Sequence, residues 1–376
     1  MHTSIGGRVR LAALVAAVAL LAAACATNNS GGGGGSSSSS GSPKIALLLP
    51  ESKTTRYEAQ DRPQFDARVK QLCPDCQILY SNADQKADLQ QNQADAALTN
   101  GAKVLVLDPV DSASAASIVA KAKAQNVPVI SYDRLITGAD VDYYISFDNV
   151  AVGKLQARSL VSKLKADGHG SGTIVMINGA PTDNNAKLFK QGALSVLRSS
   201  GLKIGKQYDT PDWSPDQAQT EMEQAITALG NNGFQGVYAA NDGTAGGAIA
   251  AMKGAGIDPS SRPVTGQDAE LAAVQRILTG EQYMTVYKAI KPEAGEAAEL
   301  AVDLVNGNRS AANALAKQTT DNGQKNVPSI ILTPVAVTKV NARQTVGQMI
   351  TDGFLKAADI CSGAAATACR QLGLAQ

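Results

Sequence analysis

The sequence predicts an α/β protein made of two doubly wound halves, each a mostly parallel sheet covered by helices. Three observations lead there. From Lys44 onward, short continuous apolar runs alternate with segments of helical spacing. That alternation starts afresh near Thr173. The chain beyond Pro43 is also too long for one ordinary core, which predicts about two domains.

The first residues stand outside the pattern. Arg8 and Arg10 precede an apolar run from Leu11 to Leu21, which closes on Ala22-Ala23-Ala24-Cys25. A basic start, a short apolar stretch and small residues describe a secretory signal over residues 1–24. The run is too short for a comfortable membrane span. A cysteine directly after the small residues resembles a bacterial lipobox and predicts lipidation at Cys25. Ala22 stands where such boxes usually carry Leu, so an ordinary export signal is the alternative. Residues 25–43, with GGGGGSSSSSG at their centre, read as a flexible tether spanning roughly 20–25 Å.

In the first half, KIALLLP is a short apolar run ending in proline, as a buried parallel strand requires. RPQFDARVKQL has helical spacing, QILYSNAD reads as a strand, and ADLQQNQADAALTNGA as a helix stopped at Gly101. The strand VLVLDPV, the helix SASAASIVAKAKAQN and the strand VPVISYD complete it. In the second half, TIVMING is a strand followed by a helix over AKLFKQGALSVLRSSG. GVYAAND is a strand opening into the helix TAGGAIAAMKGAG, whose glycines suit close helix packing. PVTGQD and YMTVYKAI read as strands on either side of LAAVQRILTG. The helix PEAGEAAELAVDLVNG and a strand SIILTPVAV follow.

Polar residues collect where these strands end: Pro50-Glu51, Asp108, Tyr132-Asp133-Arg134, Asn178, Asn241-Asp242, Gln267-Asp268 and Lys288. In open α/β sheets that edge is where ligands bind. A formal net charge of +1 with no basic block gives no footprint for nucleic acid. Of five cysteines, Cys73/Cys76 and Cys361/Cys369 read as two local disulfides of an exported chain. The Cys73-Pro-Asp-Cys76 spacing also suits a redox motif or half a zinc site, but no second such pair or nearby histidine supports zinc.

Catalysis is poorly supported. The two histidines are His2, in the signal, and His169, in a turn, so no Ser-His-Asp or Cys-His site has a base. TAGGAIAA lacks the ending of a phosphate-binding loop, and no GxGxxG follows a strand. Neither a metal nor a cofactor is expected. Every strand-end acid is instead accompanied by Asn, Arg, Gln or Lys. A sugar hydroxyl donates and accepts at once, so such mixed pairs satisfy both of its roles through strong charge-assisted bonds. A pyranose also presents C–H faces that want a flat apolar partner. The chain's single tryptophan, in the proline-punctuated loop PDWSP, is placed to supply one.

The motifs SYDRLI, YYISFDNVAVGKLQA, PTDNNAKLF, NDGTAGGAI, VTGQDAELA, MTVYKAI, VPSIILTP and TDGF resemble the xylose-binding branch of the type I periplasmic sugar-binding proteins of bacterial ABC importers. The resemblance runs from Lys44 to about Leu355. It implies sugar contacts from Arg56 and Tyr57, with tyrosine where the family more often has tryptophan. It further implies Asp133 and Arg134, Asp183 and Asn185, the stacking Trp213, Asn241, Asp268 and Lys288. Asn184 is a neighbour of the site, and Asn149 and Asp242 read equally well as caps. The implied fold has an N-terminal lobe of residues 44–148 plus 288–331 and a C-terminal lobe of 149–287 plus 332–376. Three hinge crossings join them, near Phe147-Asp148-Asn149, Tyr287-Lys288 and Thr333-Pro334.

The implied function is that of a monomeric, exported, lipid-anchored receptor. It closes on a monosaccharide, D-xylose first, and delivers it to an ABC transporter permease. Alternatives are a receptor for another aldose such as glucose, a surface sugar sensor, or a carbohydrate-active enzyme using Asp133, Asp183 or Asp268.

Overall fold

The computed structural model describes residues 41–374. The expected signal peptide, Cys25 and nearly all of the tether lie outside the described residues. Among the described residues there are twelve strands: β1 (Lys44–Leu49), β2 (Gln77–Asn82), β3 (Val104–Leu107), β4 (Val129–Tyr132), β5 (Tyr143–Phe147), β6 (Thr173–Asn178), β7 (Lys203–Asp209), β8 (Gly236–Ala239), β9 (Met284–Tyr287), β10 (Gln318–Asp321), β11 (Asn326–Leu332) and β12 (Val335–Thr338).

The first sheet has the order β10-β11-β5-β4-β3-β1-β2, parallel throughout except for antiparallel β10. Its central strand shows why the sequence there is continuously apolar. Ile45, Leu47 and Leu49 enter one core with helices Arg62–Leu72 and Ile290–Val305. Ala46 and Leu48 enter the core on the other face, with helices Ala87–Thr99 and Ala116–Ala124. Each large aliphatic side chain buried this way contributes on the order of 1.5–3 kcal/mol.

The second sheet repeats the plan. Parallel strands β7-β6-β8 carry Ile174 and Met176 on one face and Val175 and Ile177 on the other. Helices Asn149–Ala166 and Asn184–Leu197 cover the first face, Pro215–Leu229 and Asp242–Gly254 the second. On that second face Gly247 is required by close approach, since a Cβ there would lie 2.2 Å from the Pro215 carbonyl oxygen. The chain passes from the first sheet to the second after Phe147. It returns to the first core after Tyr287 and crosses again between Leu332 and Val335.

Several sequence expectations need correction. PVTGQD forms only a single bridge, Val264 to Val237. SIILTPVAV is two strands in different sheets, parted at Thr333-Pro334, and β12 pairs antiparallel with β9. Three strands had no apolar run in the alternation read above. β7 and β10 are exposed and polar edge strands, and β5 follows β4 without an intervening helix. Cys73–Cys76 and Cys361–Cys369 are both disulfides. The second staples the last helix, Ala366–Leu372, to the turn beside helix Leu271–Thr279.

Candidate functional site

Loops at the C-terminal ends of strands from both halves converge on one small cavity of about 20 Å³, room for little more than a single water molecule. Its wall holds all ten residues expected from the sequence: Arg56, Tyr57, Asp133, Arg134, Asp183, Asn185, Trp213, Asn241, Asp268 and Lys288. Thr54, Phe189 and Gln267 also line it.

The first sheet supplies the charged floor. Arg56, in the loop after β1, donates to Asp61 at 2.9 and 2.6 Å, to Glu293 at 2.7 Å and to Asp133 at 3.2 Å. The Tyr57 hydroxyl donates to the other Asp133 oxygen at 3.2 Å. Asp133 itself, just past the end of β4, takes a left-handed backbone, φ 51°. Burial opposes its charge, but Arg56, Lys288 and Arg134 outweigh that and hold the carboxyl at about 2. Arg134 lies with Nε 3.1 Å from Asp183 and 3.6 Å from Asp108, and with Nη2 3.6 Å from Glu51. Burial drives the Asp108 carboxyl well above the usual range in spite of Arg134, and Glu293 rises likewise against Arg56. Asp133 is thus left as an ionised acceptor within the wall.

The second sheet and the separate two-stranded β9-β12 sheet supply the side walls. Asp183 caps helix Asn184–Leu197 by accepting from the Asn185 N–H at 2.7 Å, and its other oxygen accepts from Trp213 Nε1 at 3.0 Å. Asn185 reaches across to the Asp133 carbonyl at 3.0 Å and is itself held by Asn149 at 2.8 Å. Asn241 both lines the cavity and closes a capping box with Thr244, accepting its N–H at 2.9 Å. Lys288, just past β9, sits 3.0 Å from Asp268 and 3.8 Å from Asp133. Burial lowers its basicity, but those two carboxylates reverse that and keep it charged. The side-chain oxygen of Gln267 is buried without a hydrogen-bond partner, a position that a ligand hydroxyl would satisfy.

Trp213 is more deeply set than its polar loop suggests. It is 4% exposed, has a left-handed backbone (φ 54°) after an equally left-handed Asp212, and packs edge-on against Phe189 with centroids 6.3 Å apart. Protein atoms already bury most of the indole. Gly179, at the end of β6, makes its seat, because a Cβ there would fall 2.0 Å from the indole edge.

Sequence reading missed Phe189, which looks like one more core residue of an amphipathic helix, and Gly179, which carries no chemistry of its own. It also missed the ion partners Asp61 and Glu293, whose role depends on how the chain folds back. Glu51 and Asp108 stand behind Arg134 and not in the wall. Asn178 is spent on the Tyr208 carbonyl and Asp209. Asp242 is structural, accepting from Gln282, Thr285 and the Glu270 N–H. Asn184, next to Asp183 in the chain, lies outside the wall. His169 is exposed in its turn. Among the described residues no group of His, Cys, Asp and Glu is placed to hold a metal ion.

With this geometry in hand, comparison with known proteins is informative. A family model described as the periplasmic binding protein domain matches residues 45–309. The D-xylose-binding periplasmic protein of Escherichia coli strain K12 is 38% identical over 321 residues, 84% of this chain and 92% of that one. Among solved structures, a carbohydrate transporter solute binding protein from Chloroflexus aurantiacus in complex with D-glucose superposes with a TM-score of 0.73 at 31% identity, covering 84% of this chain and 97% of that one. An ABC transporter solute binding protein from Clostridium phytofermentans with bound β-D-glucose gives a TM-score of 0.75 at 27% identity, covering 84% and 99%.

Proposed function

The chain belongs to the periplasmic binding protein domain family, and from that premise we propose that it captures a monosaccharide, D-xylose first, between its two halves and hands it to an ABC transporter permease. One observation carries the proposal: a small cavity at the strand ends, walled by three carboxylates, three cationic side chains, three amide side chains and an indole. In this reading Asp133, Asp183 and Asp268 accept from sugar hydroxyls. Arg56, Arg134, Lys288, Asn185 and Asn241 donate to them. Trp213 lies against a C–H face, and Tyr57 borders the ring on the side of the first half. Export would place this receptor outside the cell membrane, held there by lipid on Cys25.

A second reading, an aldohexose receptor, is supported by the glucose-bound solved structures that the fold matches. Xylose lacks the exocyclic CH2OH of glucose, so the space beside that ring carbon separates the two. Titration calorimetry with xylose, glucose, ribose, arabinose and galactose decides between them. Tightest binding of xylose is the expected result, and glucose binding at least as tightly overturns that assignment.

A further inference from the structure

The loops that wall the cavity also touch one another directly across the two halves. Gln85 donates to the Asp212 carbonyl beside Trp213 at 3.0 Å, and the Thr55 N–H beside Arg56 donates to Glu270 at 3.2 Å. Ser112 makes the most buried of these contacts and is 2% exposed. It lies in the turn between β3 and helix Ala116–Ala124.

That turn is rigid within its own half. Asp111 accepts from the N–H groups of Ala113 and Ser114 at 2.9 and 2.8 Å, and the Ser112 carbonyl accepts from the Thr137 N–H at 2.8 Å. Gln90 braces the end of β3 by donating to the Asp108 carbonyl at 2.7 Å and accepting from the Val110 N–H at 2.9 Å. The braced turn presents two polar groups to the opposite half. The Ser112 N–H donates to the Thr182 carbonyl at 3.0 Å, and its hydroxyl oxygen accepts from the Asn184 N–H at 3.0 Å. Thr182 returns a longer bond from its hydroxyl to the Val110 carbonyl, 3.4 Å. None of these residues lines the cavity, yet the residue between Thr182 and Asn184 is Asp183, which holds both Trp213 and Arg134.

We propose that Ser112 is a clasp residue. By pinning the 182–184 turn to the first half it positions Asp183 and Asn185, and it sets how long the halves stay closed over a ligand. This rests on reading the cavity as a sugar site between two halves that open and close. An interaction made only in the closed form acts mainly on dissociation. Loss of one hydrogen bond of ordinary strength then gives roughly a 3- to 10-fold faster release.

The test has two arms. In stopped-flow tryptophan emission with D-xylose, Ser112→Ala should raise the dissociation rate roughly 3- to 10-fold with the association rate and melting temperature unchanged. Ser112→Thr, which keeps the hydroxyl, should restore slow release. An unchanged dissociation rate in Ser112→Ala overturns the clasp. The second arm needs no sugar. Spin labels at Gln125→Cys and Gln224→Cys, both exposed sites on opposite halves, report the distance between them. Ser112→Ala should shift that distribution to longer values, and an unaltered distribution overturns the clasp whatever the sugar data show. If the unsubstituted protein binds no aldose, the sugar reading fails, and the spin-label distances still judge the clasp.

Discussion

Gly179→Ala perturbs the site without touching a polar group. The added Cβ would lie 2.0, 2.2 and 2.4 Å from three atoms of the Trp213 six-membered ring. Ordinary contact begins at 3.4 Å, so the ring edge must retreat by about 1.4 Å. The indole cannot slide freely, because its Nε1 is held by Asp183 and its side by Phe189. The backbone at Gly179 lies outside the left-handed region, so alanine adds no backbone strain and the whole effect comes from the methyl group. Base and ring stacking on an aromatic is worth roughly 1–3 kcal/mol, so losing it corresponds to roughly a 5- to 150-fold weaker Kd. Calorimetry with xylose measures that loss, and the tryptophan emission maximum reports whether the indole has moved. Against a Trp213→Ala background the same substitution should cost nothing further, since the two act through one contact. A Kd within twofold of the parent, with unchanged emission, would refute the argument that Gly179 seats the indole wall.

Trp213→Ala alone should weaken sugar binding by roughly 1–3 kcal/mol, and xylose should perturb the emission of the parent's single tryptophan; a titration that leaves emission untouched counts against Trp213 as a wall of the site. Burial, then the charge of Asp268, raises the Glu270 carboxyl to about 7 from 4.5. A raised carboxyl is protonated in the folded state where the unfolded chain has already ionised, so its stabilisation is full below about 4.5 and is lost as pH climbs to about 7. Thermal melts should therefore fall across that window, and Glu270→Gln should flatten the part of the slope nearest neutrality. Cys361→Ser with Cys369→Ser opens a short loop, for which chain entropy gives about 2–3 kcal/mol. Faster hydrogen exchange in helix Ala366–Leu372 and helix Leu271–Thr279, with sugar affinity kept, is the expected outcome.

Legibility followed burial. Strands covered on both faces, such as β1 and β6, are continuously apolar and could be read directly. The edge strands β7 and β10 carry KIGKQYD and QTTD, where solvent leaves no apolar pattern to read. The run SIILTPVAV is unbroken in hydropathy, so only its Pro334 hinted that it serves two sheets. At the site, residues whose side chains carry chemistry were found, and those that act through shape or by facing another charge were not. Gly179 and Phe189 belong to the first kind of omission, Asp61 and Glu293 to the second.

The sequence by itself determined the alternating α/β plan, the strand-end polar residues and the two local disulfides, which follow from local periodicity, short spacing and side-chain chemistry, all of which survive in one dimension. The residues expected in the wall came from the resemblance of its motifs to a known family. Tertiary structure decided how burial and charge compete at each carboxylate, because Asp133 meets three cations that lower it while burial pushes Asp108 and Glu293 up. It also decided that Trp213 is buried by protein, and that Ser112 meets the 182–184 turn across the cleft. Charge state and burial depend on neighbours distant in the chain, and only the folded chain brings those neighbours within reach.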